Sequence, residues 1–180
     1  METPIKTVMF IDIVDYTSVT NLLNKNTFSR YHDNFDRIIK KQSEYFEGEI
    51  VKKIGDGFLL TFNDVDFGLL CALEIQKKCQ EHTETNPELP LQIRIGMHHG
   101  MVIIKEKDVL GTTVNIASRI ERMSRVNEVL FTAEVKKELK EFYPHESLGF
   151  RKIRGLKESK VVHRINTLPN ADKQLTLGQF

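Results

Sequence analysis

The segment EIVKKIGDGFLLTF, Glu49 to Phe62, reads as a β-hairpin. Two short apolar runs, IVKKI and FLLTF, meet at Gly55-Asp56-Gly57. Asp-Gly between β-formers marks a tight turn, because a primed hairpin turn needs positive φ at its centre. Such a turn sets Asp56 on the rim of a sheet, and a glycine on either side lets a bulky ligand approach the backbone. Lys52 precedes Asp56 by an even spacing, so a regular strand would put both on one face unless Gly55 kinks the chain. Taken alone, the turn reads better as a solvated surface hairpin, and the rest of the chain changes that balance.

Upstream, Lys6 to Asp15 (KTVMFIDIVD) is apolar without alternation until Asp12, the pattern of a central strand covered on both faces. A carboxylate at that depth is costly unless backbone donors, a partner or a cation satisfy it. Asp15 stands beside the polar Tyr16-Thr17-Ser18, where a capping role is expected. Asn26 to Phe46 carries Phe28, Tyr31, Phe35, Ile38, Gln42 and Tyr45 at spacings of three and four, an amphipathic helix capped by Asn26 or Thr27. His32 falls on its polar side and is expected to be solvated.

Downstream of the hairpin, Asp64 to His82 repeats the helical pattern until Asn86-Pro87 and Leu89-Pro90 break it. Leu91 to His98 alternates as a strand, Gly100 begins a turn, and Met101 to Ile104 is a second short strand. His98 and His99 adjoin, so they point to opposite faces and cannot bind one metal together. Asp108 to Ser124 (DVLGTTVNIASRIERMS) reads as a loop followed by a helix capped by Thr112 or Thr113. Asn115 and Arg119 are an i, i+4 pair on that helix, about 6 Å apart, a surface hydrogen bond or two groups reaching one anion. Glu128 to Phe131 is a brief strand, Glu134 to Phe142 a helix, His145 to Lys152 a strand and Val161 to Ile165 the last strand, with a basic turn around Gly155.

The 180 residues suit one domain with a real core, and 40% hydrophobic and 28% charged residues are ordinary for a soluble globular protein. A net charge of +1 gives no bulk field for nucleic acid or an acidic membrane, so an anionic ligand must be held locally. No apolar run is long enough to span a bilayer, and METPIKTVMF lacks the apolar core of a signal peptide. Cys71 and Cys79, about 12 Å apart along one helix, cannot bridge and read as buried thiols of a reducing cytoplasm.

Four ordered signatures, FIDIVDYT, VKKIGDGF, DVLGTTVNIASR and FRKIRGLK followed by VVHRI, resemble the class III nucleotide cyclase catalytic domain. The resemblance spans Lys6 to Ile165 and implies one domain over 1–165, with a flexible tail over 166–180. It implies an α+β fold: a ferredoxin-like βαββαβ core with an added helix and strands, working as a head-to-tail homodimer. By resemblance, Asp12 and Asp56, assisted by the Ile13 carbonyl, hold two divalent ions, Mg²⁺ or Mn²⁺. Lys52 and Asp108 resemble the pair that reads the base, and Asn115 and Arg119 the pair that positions the ribose and stabilises the transition state. Arg154 or Lys157 stands where the triphosphate tail is held. The metal carboxylates would come from one protomer and the other four groups from its partner.

The implied reaction is ATP to 3′,5′-cyclic AMP and pyrophosphate. Lys52 donates and Asp108 accepts, which complements N1 and N6 of adenine. Guanine and uracil present the opposite sense, whereas cytosine presents the adenine sense. A cyclase for another nucleotide and a silent nucleotide-binding regulatory module are the competing readings.

Overall fold

The computed structural model describes residues 2–21 and 23–166. The expected tail beyond Asn166 lies outside the described residues. A seven-stranded sheet is built from β1 (Ile5–Ile13), β2 (Glu49–Ile54), β3 (Gly57–Phe62), β4 (Ile93–Met101), β7 (Glu128–Thr132), β8 (Glu146–Arg151) and β9 (Lys160–Asn166). Its order is β2-β3-β1-β4-β7-β9-β8. The first four strands, with α2 (Lys25–Tyr45) and α3 (Val65–Thr85) between them, make the expected ferredoxin-like βαββαβ unit. Neighbours pair antiparallel except β4 and β7, which pair parallel through Ile95↔Val129, Gly96↔Leu130 and Met97↔Phe131.

Strand alternation sorts β1 into two faces. Met9, Ile11 and Ile13 join Tyr31, Phe35 and Ile39 of α2 and Leu69, Ala72 and Ile75 of α3 in the main core. Val8 faces the other way, with Leu59, Val109 and Ala117 of α4 (Thr112–Met123). Asp12 is in phase with Val8 and Phe10, so it falls on the α4 face rather than in the main core. Cys71 and Cys79 are buried free thiols, and burial pushes both pKa values up, Cys71 to about 12.

Several boundaries differ from the sequence reading. β1 stops at Ile13 because Tyr16–Thr20 winds into a short helix, α1; Asp15 occupies its N-cap with φ 56° but makes no side-chain capping bond. The long helix α2 starts earlier, capped by Asn24, whose side chain accepts from the Thr27 amide at 3.0 Å. His32 is not solvated: it shares a 2.7 Å hydrogen bond with the Tyr16 hydroxyl and packs on Phe28. β4 runs through Gly100 to Met101, and the Asp108 segment is a strand, β6 (Asp108–Leu110), paired with β5 (Ile103–Lys105). α4 has Gly111 at its N-cap without a side-chain bond; Thr113 instead donates to the Met101 carbonyl at 2.6 Å. α5 is confined to Ala133–Glu138. His98 and His99 divide as expected, His98 bonding Thr132 at 2.7 Å and His99 bonding Thr7 at 2.9 Å.

Candidate active site

The hairpin closes with Ile54 opposite Gly57, leaving Gly55 and Asp56 as its two-residue loop, and Gly55 alone of the two has positive φ, 61°. Gly57 serves a close approach, though not to a ligand. A Cβ there would stand 2.4 Å from the Ile11 carbonyl oxygen and 3.2 Å from Asp12 Oδ1. The missing side chain thus lets the turn sit against the end of β1 and brings Asp56 beside Asp12. Burial and the neighbouring Asp12 charge push the Asp56 carboxyl above its ordinary value. Ile13, buried, closes β1 one residue further on.

Two residues that sequence reasoning missed complete this corner. Arg94 lies directly across from Asp12 in the β1/β4 register and donates Nη2 to Asp12 Oδ2 at 2.7 Å. Its Nε is ion-paired with Glu121 Oε1 of α4, but the N–H is not aimed at the oxygen, so neither atom has a hydrogen bond. Burial, against the pull of Arg94, pushes the Glu121 carboxyl up to about 7. Arg94 itself stays charged, since Asp12 and Glu121 outweigh its partial burial. α4 can come this close because β4 has Gly96 beneath it: a Cβ there would lie 2.0 Å from the Glu121 amide nitrogen. The sequence signal was faint, a lone Arg in an alternating strand, 82 residues from Asp12, and a Glu in a helix further on.

Lys52 and Asp56 share the hairpin but serve different neighbours. A register shift after Ile50 precedes Lys52, whose Nζ holds both Asp108 oxygens, at 2.7 and 2.6 Å. Lys53, on the opposite face, pairs with Asp36 of α2 at 2.6 Å. The Lys52 hydrogen bond lowers the Asp108 pKa, keeping it an acceptor, and the pair is well exposed. Asn115 is exposed on α4 one turn before Arg119. The basic turn folds over Arg119: a Cβ on Gly155, φ 78°, would lie 3.0 Å from its Nη1. Arg119 and Arg154 thereby line one open groove of about 400 Å³, with Arg122, Met123, Lys152 and Ile153. Of the two cations left unranked by the sequence, Arg154 is the one among its lining residues.

The corner at Asp12 and Asp56 fits a hard divalent cation. Its donors are oxygens, and Asp56 is raised by burial and by the Asp12 charge beside it, a cost that a cation relieves. Among the described residues no three His, Cys, Asp or Glu side chains form a metal cluster. Two carboxylates suit Mg²⁺ or Mn²⁺, which take few protein carboxylates and complete their shells with water and phosphate oxygens.

This fold, a ferredoxin-like half-sheet extended by β7, β9 and β8, is that of nucleotide cyclase domains. It superposes on the adenylate/guanylate cyclase/hydrolase of Silicibacter pomeroyi with a TM-score of 0.78 and 27% identity, covering 91% of this chain and 97% of that one. It also shares its fold with the adenylate cyclases of Trypanosoma brucei, TM-score 0.81 at 20% identity over 92% of this chain and 89% of that one. The chain belongs to the family described as the adenylate and guanylate cyclase catalytic domain, whose profile matches residues 3–167. An adenylate cyclase of Streptomyces coelicolor is 30% identical over 72% of this chain and 33% of its own length. The serine/threonine-protein kinase pkn2 of Myxococcus xanthus is 29% identical over 72% of this chain, but over only 16% of its own length. The chain thus spans a third or less of these two relatives. Among the described residues no helix is long and apolar enough to cross a membrane.

Proposed function

We propose that the protein converts ATP to 3′,5′-cyclic AMP and pyrophosphate in composite sites of a homodimer. The carrying observation is the meeting of Asp56 with Asp12 at the end of β1, two carboxylates at one corner. Asp12, Asp56 and the Ile13 carbonyl would hold divalent cations there, which would supply Lewis-acid activation of the 3′-hydroxyl and charge neutralisation at the pyrophosphate. Arg119 presents a planar fork of donors to the α-phosphoryl oxygens as they gain charge, which a lysine could match only as a point charge. Asn115, one turn away, holds the ribose so that the 3′-oxygen lies in line with the leaving group. Arg154, in the same groove as Arg119, takes the far end of the triphosphate.

The Lys52–Asp108 pair supports adenine. Lys52 has spare donors for N1 and Asp108 spare lone pairs for the N6 amine, so a base can join the pair without breaking it. Relatives named adenylate cyclase favour the same base. Cytosine offers the same hydrogen-bonding sense and is the runner-up. The hairpin supports the dimer: Lys52 and Asp56 face different partners, which suits two half-sites on each protomer.

Incubation with ATP, GTP, CTP and UTP separately, with Mn²⁺, followed by product identification by mass, tests this reading. Cyclic AMP from ATP with the highest kcat/KM is expected. A preference for GTP or UTP would overturn the roles of Lys52 and Asp108, and no cyclic product from any of the four would overturn the activity itself.

A further inference from the structure

The Asp12–Arg94–Glu121 chain has a geometry that ordinary surface ion pairs lack. Arg94 occupies one oxygen of Asp12, Oδ2. The other, Oδ1, lies on the Gly57 side, where the turn carries Asp56. A carboxylate on a strand has two broad rotational freedoms, and the guanidinium removes one of them by fixing which oxygen faces inward. Arg94 is itself held from behind. Glu121 is 5% exposed, and its backbone is seated against Gly96, two residues along β4 from Arg94. Strand, guanidinium and helix therefore form one rigid brace whose free end is Asp12 Oδ1.

We infer that Arg94 is a positioning residue for the divalent-cation site, with Glu121 holding it in place. This rests on Asp12 and Asp56 being the cation ligands. A group that orients a ligand carboxylate without touching the metal typically changes metal affinity by about 10–100-fold when altered. Lysine at position 94 keeps the charge but has no fork to span Asp12 and Glu121 together. Glutamine there removes the charge altogether. A purely electrostatic role predicts unchanged Mn²⁺ binding for the lysine and tighter binding for the glutamine, because only the glutamine removes a cation. A positioning role predicts that both weaken it.

The test counts free Mn²⁺ by electron paramagnetic resonance during titration of the nucleotide-free protein, with circular dichroism confirming the fold. Asp12→Asn should lose the site; Mn²⁺ binding unchanged in that variant would overturn the ligand assignment itself. With that control in place, Arg94→Lys and Arg94→Gln should each bind Mn²⁺ about tenfold or more weakly. Neither should weaken binding further when added to Asp12→Asn. Affinity equal to the unsubstituted protein in Arg94→Lys, or tighter binding in Arg94→Gln, overturns the inference. Should both Arg94 variants fail to fold, Glu121→Gln, an isosteric change, carries the test: severalfold weaker binding is expected, and unchanged binding refutes the brace.

Discussion

Gly96→Ala puts the seating of α4 under direct test. The new methyl would lie 2.0 Å from the Glu121 amide nitrogen, 2.4 Å from its Cα and 2.7 Å from its Cβ. Ordinary contact begins near 3.5 Å, so the helix must retreat by about 1.5 Å. The atoms met first are backbone, and no rotamer change relieves them. Overpacking of this kind costs about 1–3 kcal/mol, and the upper half of that range applies here. For a domain of this size each kcal/mol lowers Tm by about 2–4 °C, so a fall of about 4–12 °C is expected. Asn115 and Arg119 ride on the same helix, and a misplacement of about 1 Å can cost about a hundredfold in rate. Gly68→Ala in α3 is the matched control. Its methyl would meet the flexible tip of Met97 at 3.3 Å and the Phe62 ring at 3.4 Å, and an alanine gains up to about 1 kcal/mol in a helix interior. Thermal melts followed by circular dichroism, with cyclase rates at matched temperature, make the measurement. An unchanged Tm and undiminished kcat in Gly96→Ala would show that α4 is not seated as described.

Replacing Asp12 or Asp56 by Ala should abolish turnover while the melting curve stays cooperative; full activity in both would end the two-cation assignment. Mixing inactive Asp12→Ala with inactive Arg119→Ala should restore part of the activity, because one heterodimer site keeps both intact halves; no recovery despite demonstrated subunit exchange would count against composite sites. Glu121 predicts a pH signature, its carboxyl being pushed from an ordinary 4.5 up to about 7 by burial. An acid raised in the folded state favours its neutral form, so its stabilising contribution is complete below pH 4.5 and is lost as pH climbs through about 7. Relative to Glu121→Gln, the unsubstituted protein should therefore lose Tm across that window and run parallel above it; a constant difference from pH 4 to about 8 would contradict the burial of a titrating acid.

Much of the fold was legible because it is written in local periodicity. The Asp-Gly turn, the unbroken β1 run and the aromatic stripe of α2 each state their own structure within a few residues. The one-turn spacing of Asn115 and Arg119 was legible for the same reason, whereas their roles came from resemblance. What the sequence hid depends on long-range pairing. Arg94 acquires meaning only when β4 is laid antiparallel against β1 and Asp12 becomes its cross-strand partner. β6 was read as loop because three residues carry no period of their own, and only β5 makes them a strand. His32 looked solvated because its partner, Tyr16, is on a five-residue helix that no pattern announces. Lys52 and Asp108 came from resemblance, and their contact at 2.6 Å is a tertiary fact.

The parallel seam between β4 and β7 has a consequence for how long the site persists. Parallel neighbours cannot be joined by a tight turn; the chain must leave the sheet and return through a crossover, and here α4 is that crossover. The helix bearing Asn115 and Arg119 is thus also the clasp joining a four-strand half of the sheet to a three-strand half. Fluctuations that lift the clasp would expose β7 amides to solvent exchange and displace Asn115 and Arg119 in the same event. Site assembly and closure of the seam are one cooperative step, so the lifetime of the former is bounded by that of the latter.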